Sequence, residues 1–375
     1  MSACLPSLRK QNRHERFMTE TLLLARKGSG FVSPNPMVGA VLVKNGRIVA
    51  GGFHRRFGAP HAEVECINAH RGDFRNSILY VNLEPCSHYG KTQPCVDRII
   101  ETGIPRVVIA MKDPNPLVAG KGIKRLRRAG VGVTDGVLES QARELNHEFI
   151  THIIKKRPFI HVKIAQSLDG KIATLNGKLK WISSGESRRL VHIWRAEHDA
   201  ILVGAGTLNA DNPLLTVRLV KGRNPSVVVL DGNLNASTKA RVFRTARERK
   251  LIIFTSTQAA THKHKKVDEL TSLGATVVAL GTTHGRLSLK HVLKKLYQMN
   301  LGTVLVEGGR QVFEEFLEEG LTDRLSVFLA PLFMRAGIPV VGVNVAMGPL
   351  PISLTPNRLR AQIIGTDVVI QYDFA

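Results

Sequence analysis

Residues 60–66 read PHAEVEC, and residues 83–95 read LEPCSHYGKTQPC. The second stretch holds two of the chain's four cysteines, Cys86 and Cys95, each directly after a proline. Four readings of that pair compete: a disulfide, a redox pair, a metal site, or two unrelated buried thiols. The rest of the chain discriminates between them.

With 375 residues the chain exceeds what one hydrophobic core usually serves, so two domains are expected. Hydrophobic residues make up 43% and charged residues 22%, enough apolar material to fold without cross-links. The opening MSACLPSLRKQNRHERF has no apolar run of signal-peptide length, and no later segment approaches a membrane span without charges. A soluble, cytoplasmic protein with no membrane partner is therefore the expectation. In that compartment thiols stay reduced, which turns closely spaced cysteines toward metal binding or catalysis and away from a bridge. The net charge of +23 admits nucleic acid or an anionic small substrate. The basic residues are scattered, as in KRLRRAG (124–130) and THKHKKVDEL (261–270), and aromatics are only 5%. With no interleaved stacking platform, the charge supports a phosphate-bearing ligand, and no specific nucleic-acid partner is expected.

Outward from the two stretches the pattern alternates. Residues 12–28, with RFMTETLLLARK, fit a helix that SPNPMVG breaks. MVGAVLV (37–43) and RIVAGGF (47–53) flank Asn45-Gly46, a strong hairpin signal. HAEVECINAHR has helical spacing, SILYVNLEP is a strand, CVDRIIETG a helix, RVVIAM a strand, IKRLRRAG a helix and VGVTDGV a strand. SQARELNHEFITHIIKKR reads as one long helix ending at Pro158, the expected boundary between domains at 12–150 and 157–373. Beyond it, FIHVKIAQS, DAILVGAGT, PSVVVLDG, KLIIFTS, ATVVALG, TVLVEGG and RLSVFLAP are mostly apolar runs suited to a buried, largely parallel sheet. Residues 218–225 look like the most flexible stretch. Both halves are α/β in character.

His61 and Glu63, two apart, followed by Pro-Cys and a further Cys, match the general signature of zinc deaminases. One imidazole and two thiolates close three corners of a tetrahedron around zinc and leave the fourth for water. Both motifs open helical patterns, and a helix N-terminus favours thiolate over thiol. Eight residues separate Cys86 from Cys95, whereas the common deaminase spacing is Pro-Cys-x-x-Cys.

SPNPMVGAVLV, PHAEVEC, LEPCSHYGKTQPC and MKDPNPLVAGKG together closely resemble the deaminase domain of the bifunctional riboflavin-biosynthesis deaminase/reductase family, which has the longer cysteine spacing. The resemblance implies one zinc per chain on His61, Cys86 and Cys95, with Glu63 as proton shuttle. It places Asn35, His54, Lys91, Asp113 and Asn115 around the substrate. Cys66 reads as core, Cys4 as an exposed terminal thiol and His88 as a loop residue.

In the second half, Gly204-Ala205-Gly206 follows an apolar strand, but residue 209 is Asn, so the dinucleotide fingerprint fails and a plain tight turn is an equal reading. VEGG (306–309) precedes the helical QVFEEFLEEG and could bring backbone amides to a phosphate. KIAQSLDGKIA, WISSGESRR, HIWRAEHDAILVGAGTLNADNPLLTVR and LVEGG, in this order, look like the reductase domain of the same family. That resemblance implies a dihydrofolate-reductase-like fold after a cytidine-deaminase-like three-layer domain, and NADPH as cofactor. It puts Ala165, Trp181, Thr207, Asp211 and the run from Gly309 at cofactor positions, and Lys163, Arg195, Leu215, Arg218 and Glu307 at substrate positions. The arginines suit a ribose phosphate.

Leu179 stands where the family often has Ser, a hydroxyl that Ser183 or Ser184 could replace. A surface ion pair with Glu197 or Asp199 is the lesser, competing reading of Arg195, and Asp169 reads as a turn residue before Gly170. The implied activity is hydrolytic deamination of a diaminopyrimidinone ribosylamine phosphate, then NADPH-dependent reduction of its ribosyl chain to ribityl. A phosphorylated pyrimidine is thus the expected substrate, in a homo-oligomeric enzyme. A nucleic-acid adenine or cytosine deaminase is the alternative; it leaves the second half unexplained and requires salt-dependent polynucleotide binding.

Overall fold

The computed structural model describes residues 12–89, 93–116, 118–175, 181–340 and 354–374. The chain divides into two compact units, Met1–Lys155 and Lys156–Ala375.

In the first unit the elements run α1 (Arg13–Arg26), β1 (Gly39–Lys44), β2 (Arg47–Phe53), α2 (Ala62–Ala69), β3 (Ser77–Leu83), α3 (Cys95–Glu101), β4 (Arg106–Met111), α4 (Lys121–Arg128), β5 (Gly132–Asp135), α5 (Glu139–Leu145) and α6 (His147–Lys155). Asn12 and Glu15 start α1 with reciprocal side-chain to backbone bonds of 2.9 and 3.1 Å, a capping box. Asn45 and Gly46 both take positive φ, +50° and +76°, as a tight β1–β2 hairpin requires. The sheet order is β2-β1-β3-β4-β5, antiparallel through β2-β1-β3 and parallel through β3-β4-β5.

Two glycines show how the layers stack. A Cβ on Gly39 would lie 2.3 Å from the Thr21 carbonyl of α1, and one on Gly52 would lie 2.5 Å from the Cys66 amide of α2. Gly52 pairs with Ala40, the neighbour of Gly39, so the two point to opposite faces of the sheet. The sheet is therefore sandwiched between α1 and α2, and only glycine permits either backbone approach.

The long helix expected over residues 140–157 is two helices. Asn146, 1% exposed, interrupts it: its amide oxygen accepts from Met37 N at 2.8 Å and its amide nitrogen donates to Met37 O at 3.0 Å. A side chain committed to a backbone 109 positions away leaves helical geometry at that residue.

The second unit carries strands β6 (Phe159–Ser167), β7 (Lys171–Ala173), β8 (Ala200–Gly204), β9 (Ser226–Leu230), β10 (Leu251–Ser256), β11 (Ala275–Leu280), β12 (Thr282–Thr283), β13 (Arg286–Leu287), β14 (Thr303–Gly308), β15 (Arg324–Ala330), β16 (Ile338–Pro339), β17 (Arg358–Ile364) and β18 (Asp367–Asp373). Its helices are α7 (Gly185–Glu197), α8 (Ala205–Asp211), α9 (Thr257–His262), α10 (His264–Ser272), α11 (Leu289–Gln298) and α12 (Arg310–Glu318). Among the described residues the main sheet is nine-stranded, β11-β10-β9-β8-β14-β6-β15-β18-β17. It is parallel from β11 to β15 and antiparallel at β15-β18-β17. Ala200 and Leu202 face one apolar cluster while Ile201 and Val203 face another, so both faces are buried and the strands read as continuous apolar runs. The C-terminal hairpin β17–β18 has no such run. Its outer strand is exposed at Leu359 and Ile363 and carries charges instead, as edge strands do.

Candidate active sites

In the first unit three elements deliver side chains to one point. His61 occupies the N-cap position of α2 without using its ring as a cap, Cys86 follows β3, and Cys95 begins α3. His61 Nδ1 lies 3.2 Å from Cys95 Sγ and 3.6 Å from Cys86 Sγ, and the Cys95 amide donates to Cys86 Sγ at 3.3 Å. All three potential ligand atoms fall within 4.8 Å of one another. No disulfide joins the cysteines, which are free. A borderline-soft donor set of one imidazole and two thiols converging in this way fits zinc with one coordination position left open.

Glu63 sits in the first turn of α2, 3% exposed, and burial raises its carboxyl to about 7. A hydrogen bond from Cys95, then burial in opposition, leave the Cys86 thiol at about 4. His54 donates from Nδ1 to Pro60 O at 3.0 Å, which leaves Nε2 to accept from Asn35 Nδ2 at 3.2 Å. The His54 and His61 rings meet edge to face at 5.7 Å. Asp113 accepts from the Asn115 amide at 2.8 Å, and burial, then Glu84 and Cys86, raise its pKa. Asn35, His54, Asp113 and Asn115 thus flank the His61–Cys86–Cys95 group. Lys91 lies outside the described residues, His88 is an exposed loop residue, and Cys66 is fully buried in the core.

In the second unit the grouping is ionic. Val306 of β14 pairs with Val162 of β6, which puts Glu307 beside Lys163. Arg195 of α7 grips Glu307 with two bonds, Nε to Oε1 at 2.6 Å and Nη2 to Oε2 at 2.7 Å. Arg195 therefore pairs with neither Glu197 nor Asp199; Asp199 pairs with Arg223 at 2.8 Å. Lys163 is half-buried, and desolvation lowers its pKa against the pull of Glu307. Thr216 offers its carbonyl to Arg195 at 3.1 Å and its hydroxyl to Arg218 at 2.6 Å. The Arg218 amide donates to His192 Nδ1 at 2.9 Å, and Leu215 is buried at φ +52°.

The remaining positions lie around that group. Gly204 is the N-cap of α8, so Gly204-Ala205-Gly206 opens a helix rather than a plain turn. A Cβ on Gly308 would lie 2.7 Å from Thr207 Cγ2, and Gly309 takes φ +89° at the N-cap of α12, so the backbone of the glycine pair packs directly against the Thr207 side chain. No side chain caps α12, so the first amides of this glycine cradle are left to fit the phosphates of a nicotinamide dinucleotide. Ala165 pairs with Phe328, Trp181 is 55% exposed under the Arg188 guanidinium at 4.8 Å, and Asp211 ends α8 on an exposed position. Leu179 lies outside the described residues. Ser184 caps α7 by accepting from the Ser187 amide at 3.2 Å.

Residues 11–111 match the cytidine and deoxycytidylate deaminase zinc-binding region, and residues 158–345 match the RibD C-terminal domain. The riboflavin biosynthesis protein RibD of Aquifex aeolicus is 42% identical over 95% of this chain and 97% of its own length. The chain belongs to the RibD family. The Thermotoga maritima diaminohydroxyphosphoribosylaminopyrimidine deaminase/5-amino-6-(5-phosphoribosylamino)uracil reductase superposes with a TM-score of 0.83 at 40% identity, covering 97% of this chain and 99% of that one. Acinetobacter baumannii RibD gives 0.81 at 29% identity, over 96% and 98%. The first unit is accordingly a cytidine-deaminase-like domain and the second a RibD reductase domain of dihydrofolate-reductase-like fold.

Several residues that hold the sites in place were not singled out from the sequence. Glu84, 3% exposed, accepts the amides of Asp113, Gly120 and Ile123 at 3.2, 2.8 and 3.1 Å, tying the Cys86 arm to the Asp113 loop. Asn82 accepts from Gly39 N at 2.8 Å and donates to Met37 O at 2.9 Å, fixing the loop of Asn35 together with Asn146. Asp169 is a turn residue and also receives the Met334 and Arg335 amides at 3.0 and 2.9 Å. A carboxylate in the LEP triplet gave a signal for Glu84; nothing local announces Asn146.

Proposed function

We propose that this chain performs both steps its family is named for: deamination of 2,5-diamino-6-(5-phosphoribosylamino)pyrimidin-4(3H)-one in the first unit, and NADPH-dependent reduction of the ribosyl chain in the second. The product is 5-amino-6-(5-phosphoribitylamino)uracil, on the route to riboflavin. The convergence of His61, Cys86 and Cys95 with buried Glu63 beside them carries this reading.

His61, Cys86 and Cys95 would hold the metal. Zinc, when bound, supplies Lewis acidity that brings the pKa of water near neutrality. Glu63, shielded from solvent and poised near neutral pH, takes the proton from the attacking water and passes it to the ring nitrogen and the departing ammonia. Asn35 and His54 on one side and Asp113 and Asn115 on the other orient the pyrimidine.

In the second unit Gly309, Thr207, Asp211, Ala165 and Trp181 line the cofactor side; NADPH, when bound, supplies the hydride that C1′ of the opened sugar accepts. Lys163, Arg195 and Arg218 surround one carboxylate, Glu307, so cations outnumber anions and an anionic, phosphorylated ligand is favoured.

Among the described residues no helix is long and apolar enough to cross a membrane. A cytoplasmic, homo-oligomeric enzyme without a specific nucleic-acid partner completes the proposal. The test is a coupled assay on zinc-analysed protein that follows ammonia release and NADPH oxidation, with single-stranded polynucleotide as the competing substrate. Sequential ammonia and NADPH signals from the pyrimidine support the reading. Neither signal from zinc-loaded protein, or deamination of the polynucleotide instead, overturns it.

A further inference from the structure

Arg249 stands just before β10 and is 9% exposed, yet among the described residues no carboxylate pairs with it. Its guanidinium is instead spread over three backbone oxygens of one loop and one hydroxyl outside it. Nη1 donates to Leu215 O at 2.5 Å and to Pro225 O at 3.0 Å, Nη2 donates to Leu214 O, and Nε donates to Thr245 Oγ1 at 3.1 Å. Burial, then the positive charge of Arg195, push its pKa down to about 10 against the weaker pull of Glu248.

The loop so held, residues 214–225, carries Leu215, Thr216 and Arg218. Its two ends are brought to one guanidinium, and inside it the Val217 amide donates to Asn224 Oδ1 at 2.8 Å. Leu215 takes φ +52°, a left-handed conformation that a leucine adopts only when its surroundings impose it. The carbonyl of that same residue is one of the oxygens Arg249 binds. Three carbonyls converging on one point need donors arranged in a planar fork, which arginine has and lysine lacks. The stretch expected to be flexible is for this reason pinned.

We propose that Arg249 is a positioning residue for the reductase: it holds Leu215 in its left-handed conformation and so sets Thr216 and Arg218 against Arg195 for the anionic substrate. The inference rests on the reductase reading above, and it concerns substrate placement, leaving the cofactor cradle at Gly308 and Gly309 untouched.

The test uses the full chain with Arg249→Met and Arg249→Lys. Steady-state reduction of the deaminated substrate should show KM for that substrate raised about tenfold by Arg249→Met and less by Arg249→Lys, with kcat and KM for NADPH within about twofold of wild type. Ammonia release should be unchanged in both. Hydrogen exchange supplies a readout independent of turnover: the amides of residues 214–218 should exchange faster in both variants while β8 and β14 stay protected. Should Arg249→Met fail to fold, Arg249→Lys decides. Unaltered substrate KM and exchange in the lysine variant overturn the proposal. So does a loss in which kcat falls, both KM values rise and the protection of the whole unit drops together, since that marks a merely structural residue. A wild type that never oxidises NADPH refutes the functional reading instead, and accelerated exchange confined to residues 214–218 would still support the role of Arg249.

Discussion

The two sites are built on opposite plans. The deaminase group takes its ligands from 35 residues of chain, at the start of α2, the end of β3 and the start of α3, and each residue type is dictated by what a metal accepts. The reductase group is gathered from β6, α7, the loop after α8, and β14, and what dictates its residues is each other: Arg195 and Glu307 are 112 positions apart and make sense only as a pair. Chemistry imposed from outside the chain leaves a short, readable motif. Chemistry of mutual neutralisation leaves scattered charges that look like surface.

The largest expected effect tests the first plan. Glu63→Gln keeps the side chain's shape and removes its base, so deamination should fall by about a hundredfold to ten-thousandfold. Zinc content and reduction of pre-deaminated substrate should be unchanged, read by metal analysis and NADPH oxidation. Loss of that reduction in this variant would show that the two sites are not separable.

Next comes Arg195→Met, which strands Glu307 without its partner. Both side chains are largely buried, 13% and 7% exposed, and breaking such a pair costs about 3–5 kcal/mol. The denaturant midpoint of the second unit should drop and NADPH oxidation disappear, with ammonia release retained. If Glu307→Gln combined with Arg195→Met restores stability without activity, the pair's cost and its function are separated.

Gly308→Ala is smaller. Its Cβ would meet Thr207 Cγ2 at 2.7 Å, an overpacking worth about 1–3 kcal/mol. KM for NADPH should rise more than KM for the other substrate. Thr207→Ala in the same chain removes the obstructing atoms and should recover part of the loss, a coupling that a double-mutant cycle measures.

The smallest effect is a pH dependence peculiar to the second unit. Burial holds His192 at about 4 and lowers His161 and His198 as well. For His192 the unfolded chain binds more protons than the folded one between about 6.5 and 4, so stability falls as pH falls through that window. Protonation at Nδ1 also breaks the bond from the Arg218 amide. Thermal midpoints taken at about pH 7 and pH 5 should decline, and His192→Gln, whose amide oxygen still accepts, should flatten part of the decline.

The same contrast decides how far the sequence could be read. Asn45-Gly46 announced its hairpin because only such residues tolerate two positive φ values in succession. The apolar runs from FIHVKIAQS onward announced a two-faced parallel sheet because every residue of β8 is buried. The β17–β18 hairpin escaped notice, since an exposed edge carries charges where a core strand carries valines. The partner of Arg195 was not legible locally: Glu197 and Asp199 are near it in sequence, while the carboxylate it grips is Glu307, 112 positions away. The pinned loop at residues 218–225 read as flexible because the guanidinium that holds it comes from residue 249, beyond any local window.

The break between α5 and α6 bears on how the molecule is made. Asn146 supplies bonds to Met37, so the loop bearing Asn35 is secured by nearly the last part of its own unit to leave the ribosome. Until that residue emerges, the loop is held from one side alone, by Asn82 through Gly39 N and Met37 O. The second anchor of that loop is therefore added at the end of the unit's synthesis, by one asparagine.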